Sequence, residues 1–270
     1  MTQEPQPPMT RRERRSLERR DRPIRDRSRA STRRPPKRPA WQSPFALVSV
    51  AALVVAVAII VLNQKPPPSD TGGFLITPPT SYTADIVDGT SLGPANASVV
   101  MEVYSDFQCP FCAQLVEDMF PTLKSELVDT GVLRIVSRDI AIVGRGDPNE
   151  SIELAAGAVC ASRQDRYWQF HDLVFYNQGG ENVGDHDEAF NAAVANRAGV
   201  DRAAWDTCMD DEAVRDAIRA ETTTTLSRGI NGTPTLILNG GAPISPIPAL
   251  EQLIAQIRAL AAAGSPSPVP

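Results

Sequence analysis

The sequence predicts an α/β domain with a helical insertion, preceded by one transmembrane helix. Three observations carry that reading. An uncharged apolar run separates a basic head from an acidic body; a β-branched segment at residues 98–106 passes directly into an amphipathic helix; and a short apolar strand at 234–238 returns only after a block of helical segments. Strands alternating with helices in this way point to a sheet covered by helices rather than to an all-β sandwich. The 270 residues are 42% hydrophobic, enough for a core, and two histidines leave no room for a His-rich metal cluster.

The charge is sharply divided. Residues 1–40 carry 14 Arg and Lys against 5 Asp and Glu, a net of +9, whereas residues 41–270 carry a net of −14. Rich in Pro, Arg and Ser and almost free of apolar residues, the head 1–40 reads as a disordered basic tail. A transmembrane helix is expected over 41–63. Its apolar stretch (FALVSVAALVVAVAIIVL, residues 45–62) is interrupted only by Ser49. As a helix those residues rise about 27 Å, close to the thickness of a bilayer's hydrocarbon core. Trp41 stands just outside, at the level an indole prefers. The arginines should hold the tail in the cytoplasm and send the C-terminal domain across the membrane. A cleaved signal peptide is the alternative, but the one A-x-A match, Ala56-Val57-Ala58, lies inside the apolar run, which favours an uncleaved anchor. The tail has no aromatic residue on which bases could stack, so topology rather than nucleic-acid binding is its expected role.

Residues 64–82 form a Pro-rich linker, 83–263 the folded domain and 264–270 a terminal tail. Within the domain the first strand is followed by a helix over 110–129, on which Phe111, Leu115, Met119, Leu123 and Leu127 recur every fourth residue. Pro121 should kink that helix and Gly131 end it. A second strand spans Val132–Val136, with Val143 as the furthest point to which it could continue. The helical insertion spans about 147–228, with segments at 149–163, 165–176, 187–197, 201–209 and 211–226. Asp187 and Asp201 stand where N-caps belong. Asn239-Gly240 closes the strand at 234–238 as a hairpin signal, and a last helix over 248–263 puts Leu250, Leu253, Ile254 and Ile257 on one face.

The four cysteines, Cys109, Cys112, Cys160 and Cys208, all lie beyond the apolar run, which suits an oxidising compartment. Cys109-Pro110-Phe111-Cys112 joins the first strand to the first helix. At a helix N-terminus the amides lack partners and the dipole is positive, so a thiolate on Cys109 should be stabilised and its pKa lowered. Pro110 suits the first helical position. Cys112, one turn further, lies on the inward stripe. The pair therefore reads as an exposed attacking thiol and a buried resolving one, the arrangement thiol–disulfide exchange requires. Two other readings stay open: an inert structural disulfide, and half of a zinc site. Zinc would need two more ligands, and neither His171 nor His186 is spaced to supply them, so no metal is expected.

The run Ser105-Asp-Phe-Gln-Cys-Pro-Phe-Cys112, the helical block, and Gly232-Thr-Pro-Thr235 before a short strand resemble the thioredoxin superfamily. The likeness is to its DsbA-like thiol–disulfide oxidoreductases, in the membrane-anchored form of high-GC Gram-positive bacteria, and covers about residues 98–263. That resemblance implies a thioredoxin-like fold and a cis Thr233–Pro234 bond packed beside Cys109. It implies a groove in which Thr233 offers its backbone to an extended client. It also implies the roles: Cys109 as nucleophile, Cys112 as resolving thiol, Pro110 and Phe111 tuning the pair. No bound cofactor is implied. The implied partners are reduced exported proteins and a quinone-linked membrane reoxidant of the DsbB or vitamin K epoxide reductase (VKOR) type. Cys160 and Cys208 match an extra pair found in such proteins. A structural disulfide between them is the expectation, buried free thiols or a redox relay the alternatives.

Two departures matter. Phe111 stands where the strongest oxidases of this branch have histidine, which implies a milder oxidant. Val103 occupies the position of thioredoxin's buried acid, with Glu102 facing the other side of the strand, so proton handling at Cys112 has no assigned residue. Asp106 reads equally as a proton carrier or a turn residue, and His171 as structural or solvent-facing. Sequence alone leaves the direction open between oxidase and reductase or isomerase. It also leaves open a non-catalytic binding module with structural cysteines.

Overall fold

A computed structural model describes residues 75–264. The basic tail, the predicted membrane span at 41–63, most of the linker and residues 265–270 lie outside the described residues. No helix among the described residues is long and apolar enough to cross a membrane.

The elements follow in the order β1 (Val87–Asp88), β2 (Ser91–Leu92), β3 (Val99–Ser105), α1 (Pro110–Asp118), α2 (Phe120–Leu123), β4 (Leu133–Asp139), α3 (Glu150–Ser162), α4 (Tyr167–Phe175), α5 (Glu188–Ala198), α6 (Arg202–Met209), α7 (Glu212–Ser227), β5 (Thr235–Leu238) and α8 (Leu250–Ala262). One sheet runs in the order β1-β2-β4-β3-β5. At its centre β3 and β4 are parallel, with Ser105 opposite Asp139, and β5 runs antiparallel to β3. Alternation along β3 sends Val99, Met101 and Val103 into the main core, where they meet Leu133, Ile135 and Leu253. Tyr104, Ile140, Ile230 and Ile237 form a second, smaller cluster.

The strand–helix–strand opening and the helical insertion are therefore present, and the departures from expectation have physical causes. Residues 110–129 are not a single kinked helix. Pro121 lacks an N–H, and its ring would strike the carbonyl four residues back, so α1 ends at Asp118, before Met119. The chain resumes as α2 and then widens into a π-helical turn at Lys124–Val128, where the Asp129 amide donates to the Lys124 carbonyl at 2.8 Å. β4 runs past Val136 and stops at Asp139, short of the furthest extent at Val143. Beyond it the amides of Ala141, Ile142 and Val143 donate to Thr222 Oγ1 and the Asp106 carboxylate, not to a neighbouring strand.

The insertion is more buried than its sequence suggests. On α3, Leu154 to Ala158, Cys160 and Ala161 are all buried, because alanine and glycine let α4 to α7 pack against it from several sides. Asn149, Asp187, Asp201 and Asp211 cap α3, α5, α6 and α7, each accepting a backbone N–H. The return strand expected after Asn239-Gly240 shrinks to one bridge between Leu236 and Ile244. Pro243, Pro246 and Pro248 have no amide hydrogen with which to extend a ladder.

Two features went unanticipated. The hairpin β1–β2 adds a paired edge beyond β4; its signal was Asp88-Gly89, with Gly89 at φ +55°. Residues 75–82, which the sequence assigns to the linker, dock on the insertion. The Ile76 amide donates to Asn177 Oδ1 at 2.6 Å, Arg197 donates to Thr77 Oγ1 at 2.7 Å, and the hydroxyls of Thr80 and Tyr82 donate to Asp172.

Candidate active site

The site is built where β3 ends. Asp106, fully buried, turns the chain: its carboxylate accepts from the amides of Gln108, Ile142 and Val143 at 2.8–2.9 Å and from Ser151 Oγ at 2.6 Å. Burial raises its pKa while those four hydrogen bonds pull the other way. Its visible role is to join the β3–α1 turn to the loop after β4 and to α3. Gln178, from the loop after α4, holds the same turn from outside, its amide donating to the Phe107 carbonyl at 2.6 Å and the Cys109 carbonyl at 3.3 Å.

Cys109 is the N-cap of α1, in extended conformation, with Pro110 following as the first helical residue. Its carbonyl accepts from the Cys112 and Ala113 amides at 3.0 and 3.1 Å. Both Cys109 and Cys112 are free thiols. The asymmetry is one of degree rather than the exposed and buried contrast expected, because Cys109 is only 4% exposed, against 0% for Cys112. The loop that covers it carries the cis Thr233–Pro234 bond. There the Cys109 thiol donates to the Thr233 carbonyl at 3.3 Å.

The two sulfurs titrate in opposite directions. Cys109 is lowered to about 6, first by the Cys112 thiol hydrogen-bonded to it; the Thr233 side chain and the backbone amides of Cys112 and Phe111 add to this, and burial opposes it. The amides at the start of α1 therefore contribute, but the partner thiol contributes more. Cys112 is pushed well above the ordinary thiol range by burial and then by the Cys109 sulfur. Phe111 between them is 68% exposed. With Leu115, Met119, Pro234, Pro246 and Ile247 it lines a groove of about 470 Å³ beside the pair.

Cys160 and Cys208 form a disulfide between α3 and α6 with a Cα–Cα distance of 5.7 Å, and lie apart from this groove. Glu102 pairs with Arg138 at 3.0 Å and Val103 is buried. His171 is buried, not solvent-facing: its Nδ1 lies 2.9 Å from Asp172 Oδ1 and its ring packs among Phe107, Phe120, Tyr167, Trp168 and Phe175. Among the described residues no group of three or more His, Cys, Asp or Glu could hold a metal ion.

A family model described as "Thioredoxin" matches residues 86–257. The chain belongs to that family. It is 23% identical over 197 residues to a "Probable disulfide bond formation protein D" of Bacillus anthracis, covering 71% of this chain and 84% of the relative. The protein of the same name from Bacillus cereus is 28% identical over 133 residues; the match spans 48% of this chain and about half, 55%, of that relative. Among solved structures, oxidised BdbD of Bacillus subtilis superposes with a TM-score of 0.58 at 19% identity, covering 66% of this chain and 99% of that one. Oxidised DsbA of Mycobacterium tuberculosis superposes with a TM-score of 0.55 at 22% identity, over 67% and 95%. These likenesses establish the thioredoxin-like fold with its helical insertion.

Proposed function

We propose that the chain is a thiol–disulfide oxidoreductase that forms disulfides in exported proteins by exchange at Cys109 and Cys112. The observation that carries this reading is the geometry of two free thiols at the start of α1, Cys109 as N-cap against the cis Thr233–Pro234 loop and Cys112 buried one turn on, a setting that lowers the first to about 6 and raises the second. A thiolate already formed at neutral pH attacks or leaves readily, and stabilising it in the reduced protein makes the disulfide the more oxidising. In the forward reaction a client thiolate attacks the Cys109 sulfur of the enzyme disulfide and expels Cys112. A second client thiolate then attacks the client's own sulfur and releases Cys109. Two electrons pass to the enzyme and one disulfide to the client. The names of the Bacillus relatives support the same chemistry.

The groove supplies the place for an extended client, and Phe111, Thr233 and Pro234 are among the residues that line it. The apolar run at 45–62 and the basic tail support an anchored protein whose domain works outside the membrane. A quinone-linked membrane protein of the DsbB or VKOR type would return it to the disulfide form.

The test is a Cys112→Ser variant of the full chain, expressed with its native envelope clients. An exchange enzyme accumulates mixed disulfides through Cys109, whereas a binding module yields no covalent adduct. Equilibration of the wild-type pair with glutathione, together with refolding of a reduced client, fixes the direction. A strongly reducing pair that fails to promote refolding would mark a reductase instead.

A further inference from the structure

Opening the Cys109–Cys112 disulfide leaves a charge on Cys112, and closing it requires the Cys112 thiol to lose a proton. Both steps are obstructed by the site itself. Solvent does not reach Cys112, and its surroundings disfavour the anion. A proton must therefore travel through the protein in step with the sulfur chemistry.

Two groups at the carboxyl ends of the central strands are placed for this. Ser105, the last residue of β3, carries a buried hydroxyl with no hydrogen-bond partner among the described residues, and that hydroxyl favours the Cys112 thiolate. Asp139, the last residue of β4, is its register partner. Paired residues of neighbouring strands project from the same face about 4.8 Å apart. Asp139 is surrounded by protein, yet the residue keeps part of its surface open. Its carboxylate accepts from the Tyr167 hydroxyl at 2.7 and 2.9 Å and from Ser137 Oγ at 3.2 Å.

We infer that Ser105 and Asp139 are the proton route of Cys112, the hydroxyl passing the proton and the carboxyl storing it, with one water completing the link. This rests on the exchange reading of the cysteine pair. When a client thiolate attacks Cys109, the S–S electron pair leaves on Cys112, and a proton moves from the Asp139 carboxylic acid through Ser105 to that sulfur. When a mixed disulfide on Cys109 is resolved, Cys112 gives its proton to the Asp139 carboxylate, its sulfur bonds to Cys109, and the partner thiolate departs. In this route Ser105 exchanges the proton with the reacting sulfur, and Asp139 acts through it. Burial raises the Asp139 carboxyl to about 6, where both protonation states are populated near neutrality. Around it, Tyr167 and His171 of α4 and Ser137 of its own strand favour the charged form, and Asp106 of the β3–α1 turn opposes it.

The test separates the two halves of exchange in the reduced full chain. Glutathione disulfide is added, samples are quenched in acid, and mass spectrometry follows the Cys109–glutathione adduct as it forms and decays. Adduct formation should be unchanged in Asp139→Asn, Ser105→Ala and Ser105→Thr. Adduct decay at neutral pH should slow at least tenfold in Asp139→Asn and Ser105→Ala and recover in Ser105→Thr. Wild-type decay should level off above about pH 6, while that of Asp139→Asn keeps rising with pH. Wild-type decay rates and profiles in both variants would overturn the inference. So would slowing confined to Asp139→Asn with an unaltered profile, which marks a packing role. If Asp139→Asn does not fold, Ser105→Ala and its threonine rescue decide alone. A wild-type chain that forms no adduct would remove the exchange reading itself.

Discussion

The Thr233 carbonyl oxygen lies 3.3 Å from the Cys109 sulfur, across 124 residues of chain. That oxygen accepts from the thiol and has nothing to offer a thiolate. The sulfur is favoured as an anion by other groups: the Cys112 thiol, the Thr233 side chain and the amides of Phe111 and Cys112. The site thus has one contact for the protonated sulfur and several for the charged one.

Cys112→Ala removes the first of those donors. A hydrogen bond to a charged group contributes about 1.5–3 kcal/mol, so the Cys109 pKa should rise by about one to two units. Titration of thiolate ultraviolet absorbance, or the pH dependence of alkylation by iodoacetamide, measures it.

The lowered Cys109 also makes stability depend on pH and on redox state. A folded-state pKa below the unfolded one contributes stability that is present above the unfolded value and lost as pH falls through about 6. Only the reduced protein has this term, and the raised Cys112 works against it once unfolded thiols ionise, near pH 8.5. The melting temperature of the reduced form, minus that of the oxidised form, should therefore climb between about pH 6 and 8.5. A flat difference across that window would contradict the assignment.

Phe111→His places an imidazole beside the sulfur on a side chain that is 68% exposed. A cationic donor there should lower the Cys109 pKa further and make the disulfide more oxidising, by about tenfold in the glutathione equilibrium constant for each unit. Equilibration in glutathione buffers reads it directly.

Replacing both Cys160 and Cys208 with alanine opens a loop of 48 residues. By loop-closure entropy the domain should lose about 4 kcal/mol. Urea unfolding measures the loss. Exchange by the variant, assayed well below its melting temperature, should stay within a factor of about two, since additivity holds for sites without shared partners.

Much of the cysteine site was legible because it is local. Strand, turn, Pro110 and the start of α1 lie within a few residues, and each obeys a short-range rule. The companion loop at Thr233 was reached only through resemblance, since Gly-Thr-Pro-Thr alone reads as a turn. Asp139 and Tyr167 were missed altogether. A carboxylate in a polar stretch (Ser137-Arg138-Asp139) looks solvated even on a strand, and the tyrosine that meets it stands 28 residues away. The all-round burial of α3 escaped notice for a related reason: alanines carry little hydropathy, so periodicity understates how closely neighbours approach.

The three prolines after β5 have a consequence for how the sheet meets unfolded chains. A long bare sheet border would let such chains add strands to it and seed aggregates. Here β5 is bordered by a segment that gives up its amide hydrogen at Pro243, Pro246 and Pro248, and the opposite border is the two-residue strand β1. Backbone-templated growth is thereby discouraged on both flanks of the sheet.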